Sequence, residues 1–317
     1  MSGNAAPGAS RVVFQLPGQG SQRVGMGRAL ARERPEARVV FEEADDVLGF
    51  ALSSLCWEGP EQELVRTENA QPALLACSVA AARVLEAEAV EPGAAAGHSL
   101  GEFSAHVVAG SLSLADALGL VRARGEAMAA AGREREGTMA AVLGLDAGAV
   151  EELCASARRD DEVLVPANFN APGQVVVSGS TAAVRRAIES AKGHGARRAL
   201  ELNVSGAFHS PLMQPARKEL AGALHEVDLR PARIPVVANV DARPVQEPDP
   251  VRERLLDQLT SPVRWVECVE RLRELGATLF LEPGVGSVLT GLLRRIDREL
   301  EGRSVTEPKD LEGFAAP

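Results

Sequence analysis

Residues 97–101, Gly97-His98-Ser99-Leu100-Gly101, form a G-x-S-x-G pentapeptide between two segments of opposite habit. Residues 90–96 before it are short and rich in small apolar side chains, as in a buried strand. Residues 102–109 after it read as a helix packed by small residues. Strand, sharp turn and helix is the setting that holds a serine Oγ proud of a sheet. The helix N-terminus beside it offers free N–H groups to a developing oxyanion. The two glycines have a steric reason, since backbone must pass close to the serine and a Cβ would collide. Alone, the same letters also fit a plain helix start with Ser99 as N-cap.

Composition narrows the setting. The 317 residues are 45% hydrophobic and 25% charged, values of a globular chain with room for one large or two unequal domains. A net charge of −10 argues against nucleic acid or an anionic membrane as the main partner. Aromatics make up 3% and Tyr is absent, so the core is expected to be Leu, Val and Ala. Cys56, Cys77, Cys154 and Cys268 are scattered without a C-x-x-C pair, which predicts neither a zinc site nor a disulfide framework. Residues 1–10 lack an apolar signal core, and no apolar run is long enough for a bilayer span. A cytoplasmic protein is expected.

The chain opens with a strand at 11–16 (RVVFQL), followed by the loop Pro17-Gly18-Gln19-Gly20-Ser21-Gln22. A dinucleotide fingerprint would need glycine at position 23, which is Arg23, and no Gly-Lys-Ser/Thr follows. The loop is instead a candidate to bring backbone N–H groups near Ser99. Helical patterns cover 26–50, broken near Pro35, then 62–67 and 72–89. Residues 113–116 resemble a capping box that opens a helix running to about 131.

The rhythm changes at 132–137. Strand 139–143, helix 147–157, strand 163–168, turn 171–173, strand 174–178, helix 181–193 and strand 198–203 make β-α-β-β-α-β, a ferredoxin-like order. Afterwards come helix 210–227, strand 234–238, helices 251–259 and 266–275, strand 278–281 and helix 286–300. The fold class is therefore α/β. A parallel-sheet body of 11–132 and 205–300 is interrupted by an α+β unit at 133–204. A disordered tail is expected at 1–10 and a loose one at 301–317. A cleft between two such units is a usual small-molecule site.

A nucleophilic serine needs a base. His98 adjoins Ser99, and adjacent elbow residues are expected to point apart. His106 lies two helical turns on. His194 and His225 fall in polar helix ends. His209 leaves the inserted unit on a loop able to swing over the cleft. Arg124 sits on a predicted helix, where arginine is ordinarily a surface charge. Gly125 beside it permits close backbone packing and favours burial.

Several ordered motifs then converge: PGQGSQ (17–22), GHSLGEF (97–103), VRARGEAM (121–128), NAPGQVVVSG (170–179), GAFHSPLM (206–213), ANVDARP (238–244), QLTSPVRW (258–265) and LEPGVGSVLTGLLRRI (281–296). Together they resemble the malonyl-CoA:acyl carrier protein transacylase family, which includes polyketide synthase acyltransferases. The resemblance spans about 12–296. It implies an α/β-hydrolase-like body with an inserted ferredoxin-like subdomain. It makes Ser99 the nucleophile and His209 its base, with Gln258 orienting the imidazole through a carbonyl oxygen. The backbone N–H groups of Leu100 and Gln19 become the oxyanion hole. Arg124 becomes the holder of the malonyl carboxylate, with Phe208 in the substrate site and Asn239 lining the pocket. It implies no cofactor and no metal; malonyl-CoA and phosphopantetheinylated acyl carrier protein are the substrates. Fatty acid synthesis is the expected setting, with a stand-alone polyketide acyltransferase or an acyl-thioester hydrolase as alternatives. An acidic carrier needs a local basic patch, for which Lys192, Arg197 and Arg198, with Arg294 and Arg295, are the densest clusters.

Overall fold

The computed structural model describes residues 11–314; the tail expected at 1–10 lies outside them. Among the described residues ten strands follow in order: β1 Val12–Leu16, β2 Ala94–Gly97, β3 Gly137–Leu143, β4 Leu164–Ala171, β5 Gln174–Ser180, β6 Arg198–Glu201, β7 Val236–Val237, β8 Pro244–Val245, β9 Leu279–Pro283 and β10 Glu301–Val305. They form two sheets. The larger has the order β10-β9-β1-β2-β7-β8, parallel except for the β7–β8 pair. The smaller, β4-β5-β3-β6, is antiparallel throughout, with helices Ala147–Ala157 and Thr181–Ser190 providing its crossovers. That is the ferredoxin-like order read from the sequence.

The register of the large sheet positions everything that matters chemically. Leu16 on β1 lies opposite Gly97 on β2, and Ala96 lies opposite Val237 on β7. The loops after β1, β2 and β7 therefore leave the same carboxyl edge side by side, where open parallel sheets place their ligands. Gln19, Ser99 and Asn239 sit on those three loops. β4 docks the small sheet onto the body by backbone bonds at Val263, which donates to Ala167 O at 2.8 Å and accepts from Phe169 N at 2.9 Å.

The body's core is built on the buried helix Thr67–Ala87, which starts a turn earlier than the sequence pattern suggests and carries Pro72 inside it. Pro72 cannot donate to Glu68 O. Arg122 Nη1 donates to that carbonyl instead, at 3.1 Å, so the proline is accommodated. Strand β2 is shorter than expected, because Pro92 and Gly93 precede the ladder. Ser113 caps helix Leu114–Glu134 as expected, accepting from Asp116 N at 3.0 Å. The helix expected over 286–300 is confined to Val288–Ile296, following Gly284 and Gly286, both at positive φ.

The tail expected at 301–317 is a correction. Its first residues form β10, a parallel edge strand on β9, and Pro308–Leu311 adds a 3₁₀ turn whose Leu311 is buried. The sequence Glu-Gly-Arg-Ser-Val of β10 lacks the alternation that marks a half-buried strand, so pattern alone hides it.

The elbow has almost no spare volume. A Cβ on Gly97 would collide with the Gly101 carbonyl, and a Cβ on Gly101 with the Leu16 carbonyl. By contrast, a Cβ on Gly119, in the middle of Leu114–Glu134, would meet nothing within 4 Å. Gly101→Ala should cost about 1–3 kcal/mol or more. Gly119→Ala should gain about 0.5–1 kcal/mol from helix propensity. Thermal unfolding should move the two midpoints in opposite directions; an unshifted Gly101→Ala would show that the turn is loosely packed.

Candidate active site

Ser99 stands between the end of β2 and helix Gly101–Val108 with φ of 53°, a left-handed conformation that a non-glycine residue rarely adopts. The strain is held by neighbours. Asn239 accepts from Ser99 N through Oδ1 at 2.7 Å and donates to Gly97 O through Nδ2 at 2.7 Å. Asn239 is fully buried behind the turn and does not line the cavity, which corrects the pocket-lining position expected for it. Its place follows from β7 pairing with β2, a non-local fact invisible in the motif.

Ser99 Oγ and His209 Nε2 are 2.7 Å apart. His209 Nδ1 donates to the backbone carbonyl of Gln258 at 2.9 Å. That bond fixes the tautomer: the proton lies on Nδ1, so Nε2 is free to accept from the serine. His209 also has positive φ, 56°. Burial and then the nearby Arg124 charge bring its pKa down to about 3, so the ring is neutral at pH 7.

Arg124 is 1% exposed, against the ordinary fate of a helix arginine. Its Nη2 donates to Ser99 Oγ at 3.1 Å and to Gln258 Oε1 at 3.0 Å, and Nη1 donates to Gln71 Oε1 at 2.7 Å. Its Nε has no partner, and the guanidinium rests over the Phe103 ring. Among the described residues no carboxylate lies within ion-pair distance of it. Desolvation pulls its pKa down to about 10, still cationic at neutral pH.

A cavity of about 710 Å³ opens over this cluster. The body contributes Gln19, Ser99, Leu100, Arg124, Phe208 and His209 to its lining; the small sheet adds the apolar Met139 and Val176. Among the described residues the N–H groups of Gln19 and Leu100 are engaged by no protein acceptor. A close approach holds the Gln19 loop in place, since a Cβ on Gly18 would strike the His98 carbonyl.

The other histidines separate clearly. His194 and His225 are exposed, and His106 is buried against Ser111 Oγ at 2.8 Å, away from the cavity. His98 does reach the cavity, where its Nε2 lies 2.8 Å from Asn170 Oδ1 and joins the elbow to the small sheet. Of the expected basic patch, Arg198 lies opposite Leu143, at the end of β3 away from the cavity-lining Met139, and Arg295 is bonded to Gln174 Oε1. Arg66 and Arg133 are the exposed cations that line the cavity itself. The residue that sequence reasoning passed over is Glu102, 1% exposed, whose Oε2 accepts from Gln258 Nε2 at 2.7 Å and from Asn239 N at 3.0 Å. Its only sequence signal was its position three residues after Ser99, inside a quoted motif.

A buried Ser–His pair with the imidazole tautomer fixed, two free amides nearby and an unpaired guanidinium can perform acyl transfer on a substrate that carries an anion. Comparison with known proteins agrees. The acyl transferase domain family matches residues 13–307. The malonyl CoA-acyl carrier protein transacylase of Bacillus subtilis (strain 168) is 45% identical over 303 residues, covering 96% of each chain. That of Escherichia coli (strain K12) is 43% identical, covering 95% of this chain and 98% of its own. Among solved structures, the acyl carrier protein S-malonyltransferase of Vibrio cholerae superposes with a TM-score of 0.93 at 44% identity, covering 96% of this chain and 99% of that one. A malonyl-transacylase in complex with a type II PKS acyl-carrier protein reaches 0.93 at 42% identity, with the same coverage. Sequence, fold and site geometry lead to one assignment: the chain belongs to the acyl transferase domain family, among the malonyl CoA-acyl carrier protein transacylases.

Proposed function

We propose that this chain moves a malonyl group from malonyl-CoA to the phosphopantetheine thiol of an acyl carrier protein, through an ester on Ser99. The observation that carries this reading is the placement of Arg124, whose guanidinium has no carboxylate partner among the described residues, with Nη2 at 3.1 Å from Ser99 Oγ, itself 2.7 Å from His209 Nε2. A nucleophile beside a buried cation suits a short acyl chain that ends in a carboxylate.

His209 Nε2 takes the Oγ proton as Oγ attacks the thioester carbonyl. The N–H groups of Leu100 and Gln19 receive the oxyanion. When the tetrahedral adduct collapses, the C–S bond breaks and the CoA sulfur leaves with the proton from His209. The carrier thiol then attacks the malonyl-serine ester by the same route in reverse. Arg124 holds the free carboxylate throughout. Binding of that carboxylate offsets the Arg124 field, the smaller of the two causes that depress His209; burial, the larger, keeps the imidazole neutral and able to accept the Oγ proton. The chemistry calls for no cofactor or metal. Four buried, unbonded cysteines support a reducing, cytoplasmic setting. Among the described residues no helix is long and apolar enough to cross a membrane. Fatty acid synthesis is the setting proposed here; a stand-alone polyketide acyltransferase would run the same chemistry on a different carrier protein.

Intact mass after incubation with malonyl-CoA tests the proposal. The wild-type chain should carry one stable malonyl group, and Ser99→Ala none. Steady release of free malonate without an adduct would instead indicate a hydrolase. His209→Ala should load about 10²–10⁴-fold more slowly; an unchanged rate would remove it as the base.

Arg124→Ala should reverse acyl selectivity. Malonyl loading should fall on the order of 10²-fold, while acetyl loading rises because no buried cation is left without a partner. Equal loss of both would mark Arg124 as structural. The ratio of the two loading rates decides.

A further inference from the structure

We propose that Glu102 is the counter-charge of Arg124, acting through the Gln258 carboxamide, and that it sets how strongly the site demands a carboxylate on the acyl group. The inference rests on the malonyl-transfer reading above and adds to it a residue that touches neither substrate nor nucleophile.

The geometry is a relay. Glu102 Oε2 accepts from Gln258 Nε2 at 2.7 Å, and Gln258 Oε1 accepts from Arg124 Nη2 at 3.0 Å. An ionised carboxylate can only accept, so it turns the Nε2 end of Gln258 toward itself. The Ser99 carbonyl, which takes the same Nε2 at 3.0 Å, enforces the same sense. The oxygen end of the amide is thereby left for the guanidinium. Cation and anion, each 1% exposed, are thus coupled but held apart by one side chain. A direct ion pair would occupy the donors that a substrate carboxylate needs. A spaced pair balances the buried charge and leaves Arg124 Nε unpartnered.

The spacing has a consequence for selectivity. In the empty site an ionised Glu102 balances Arg124. A malonyl carboxylate adds a second anion to the same cation, and the two anions repel at low effective dielectric. Protonating Glu102 removes that repulsion, so loading a carboxylated acyl group should be coupled to proton uptake by Glu102. An acetyl group brings no charge and no such coupling. Burial already holds the Glu102 carboxyl up at about 7, in the range where the coupling is readable.

Other ionisable groups facing Glu102 do not supply the same signal. Arg124, on Leu114–Glu134, stays cationic with a pKa of about 10. Asp241, beyond β7, is held by Arg254 at 2.9 Å. The Cys268 thiol, on Trp265–Glu274, is pushed up by burial and by Glu102. On the cavity side of the relay, burial brings His209 down to about 3 and also depresses His98. His106, on the same helix as Glu102, is held at about 3.

The test is the ratio of kcat/KM for malonyl-CoA to that for acetyl-CoA, followed from pH 8 to pH 6. Titration of His209, of the CoA phosphates and of the accepting thiol is common to both donors and cancels in the ratio. The wild-type ratio should rise as pH falls, on the order of tenfold. Glu102→Gln keeps an acceptor oxygen for Gln258 Nε2 and Asn239 N but carries no charge. Its ratio should be independent of pH and at least as high as the wild-type value at pH 6. A pH-independent ratio in a wild-type protein that loads malonyl on Ser99 overturns the role of Glu102 and leaves the transfer reading intact, without need of any variant. A Glu102→Gln protein that keeps the wild-type slope also overturns it. A wild-type protein that loads no malonyl group at all overturns the transfer reading itself.

Discussion

Gln258 is hydrogen-bonded to Ser99, His209, Arg124 and Glu102 at once. Its backbone carbonyl accepts the His209 Nδ1–H, and its side chain links Arg124, the Ser99 carbonyl and Glu102. Ser–His sites in hydrolases generally place a carboxylate behind the imidazole. Here a carboxylate in that place would stand close to a buried guanidinium. The two would pair, and Arg124 would lose the donors that the proposed substrate needs. A neutral carbonyl sets the tautomer without competing for the cation. The negative charge of the site is moved one residue further back, to Glu102.

The scaffold has to hold two residues of the site against their backbone preference. Ser99 and His209 both lie at positive φ, 53° and 56°, a conformation worth on the order of 1–3 kcal/mol each in strain. Such strain persists only where the surroundings over-determine the chain. At Ser99 the determinants are the parallel register of β1, β2 and β7, the contact of Gly101 with the Leu16 carbonyl, and the two hydrogen bonds from Asn239. At His209 they are the Gln258 carbonyl and the short Pro211–Met213 turn capped by Ser210. Both strained residues are placed by the large sheet and the segments that pack on it.

How much of this was legible in the sequence follows from the range of each interaction. The elbow was legible because strand, serine and helix are contiguous, and the β-α-β-β-α-β unit because its turns and periods are local. Strand β10 was not, since an edge strand of polar sequence buries little. The motif around Asn239 shows a residue type and not the face on which it lands; the pairing of β7 with β2 turns it behind Ser99. Glu102 lies within GHSLGEF, but the motif gives no sign of what its carboxylate meets. Its partners, Gln258 and Asn239, are more than a hundred residues away along the chain, and only the folded sheet edge brings the three together. The burial of Arg124 was only weakly suggested, by Gly125, where a Cβ would strike the backbone of Glu68.

The two sheets divide the work of the cavity. The charged chemistry, Ser99, His209, Arg124 and Glu102, comes from the body. The small sheet contributes mainly wall, through Met139 and Val176, and one polar tie, Asn170 to His98. That tie and the backbone bonds at Val263 join the units near the site. The cavity's shape can therefore change with side chains on the small sheet without disturbing the relay of charges beneath it. The two properties are physically separable, because a wall of apolar side chains sets volume and a buried cation sets charge.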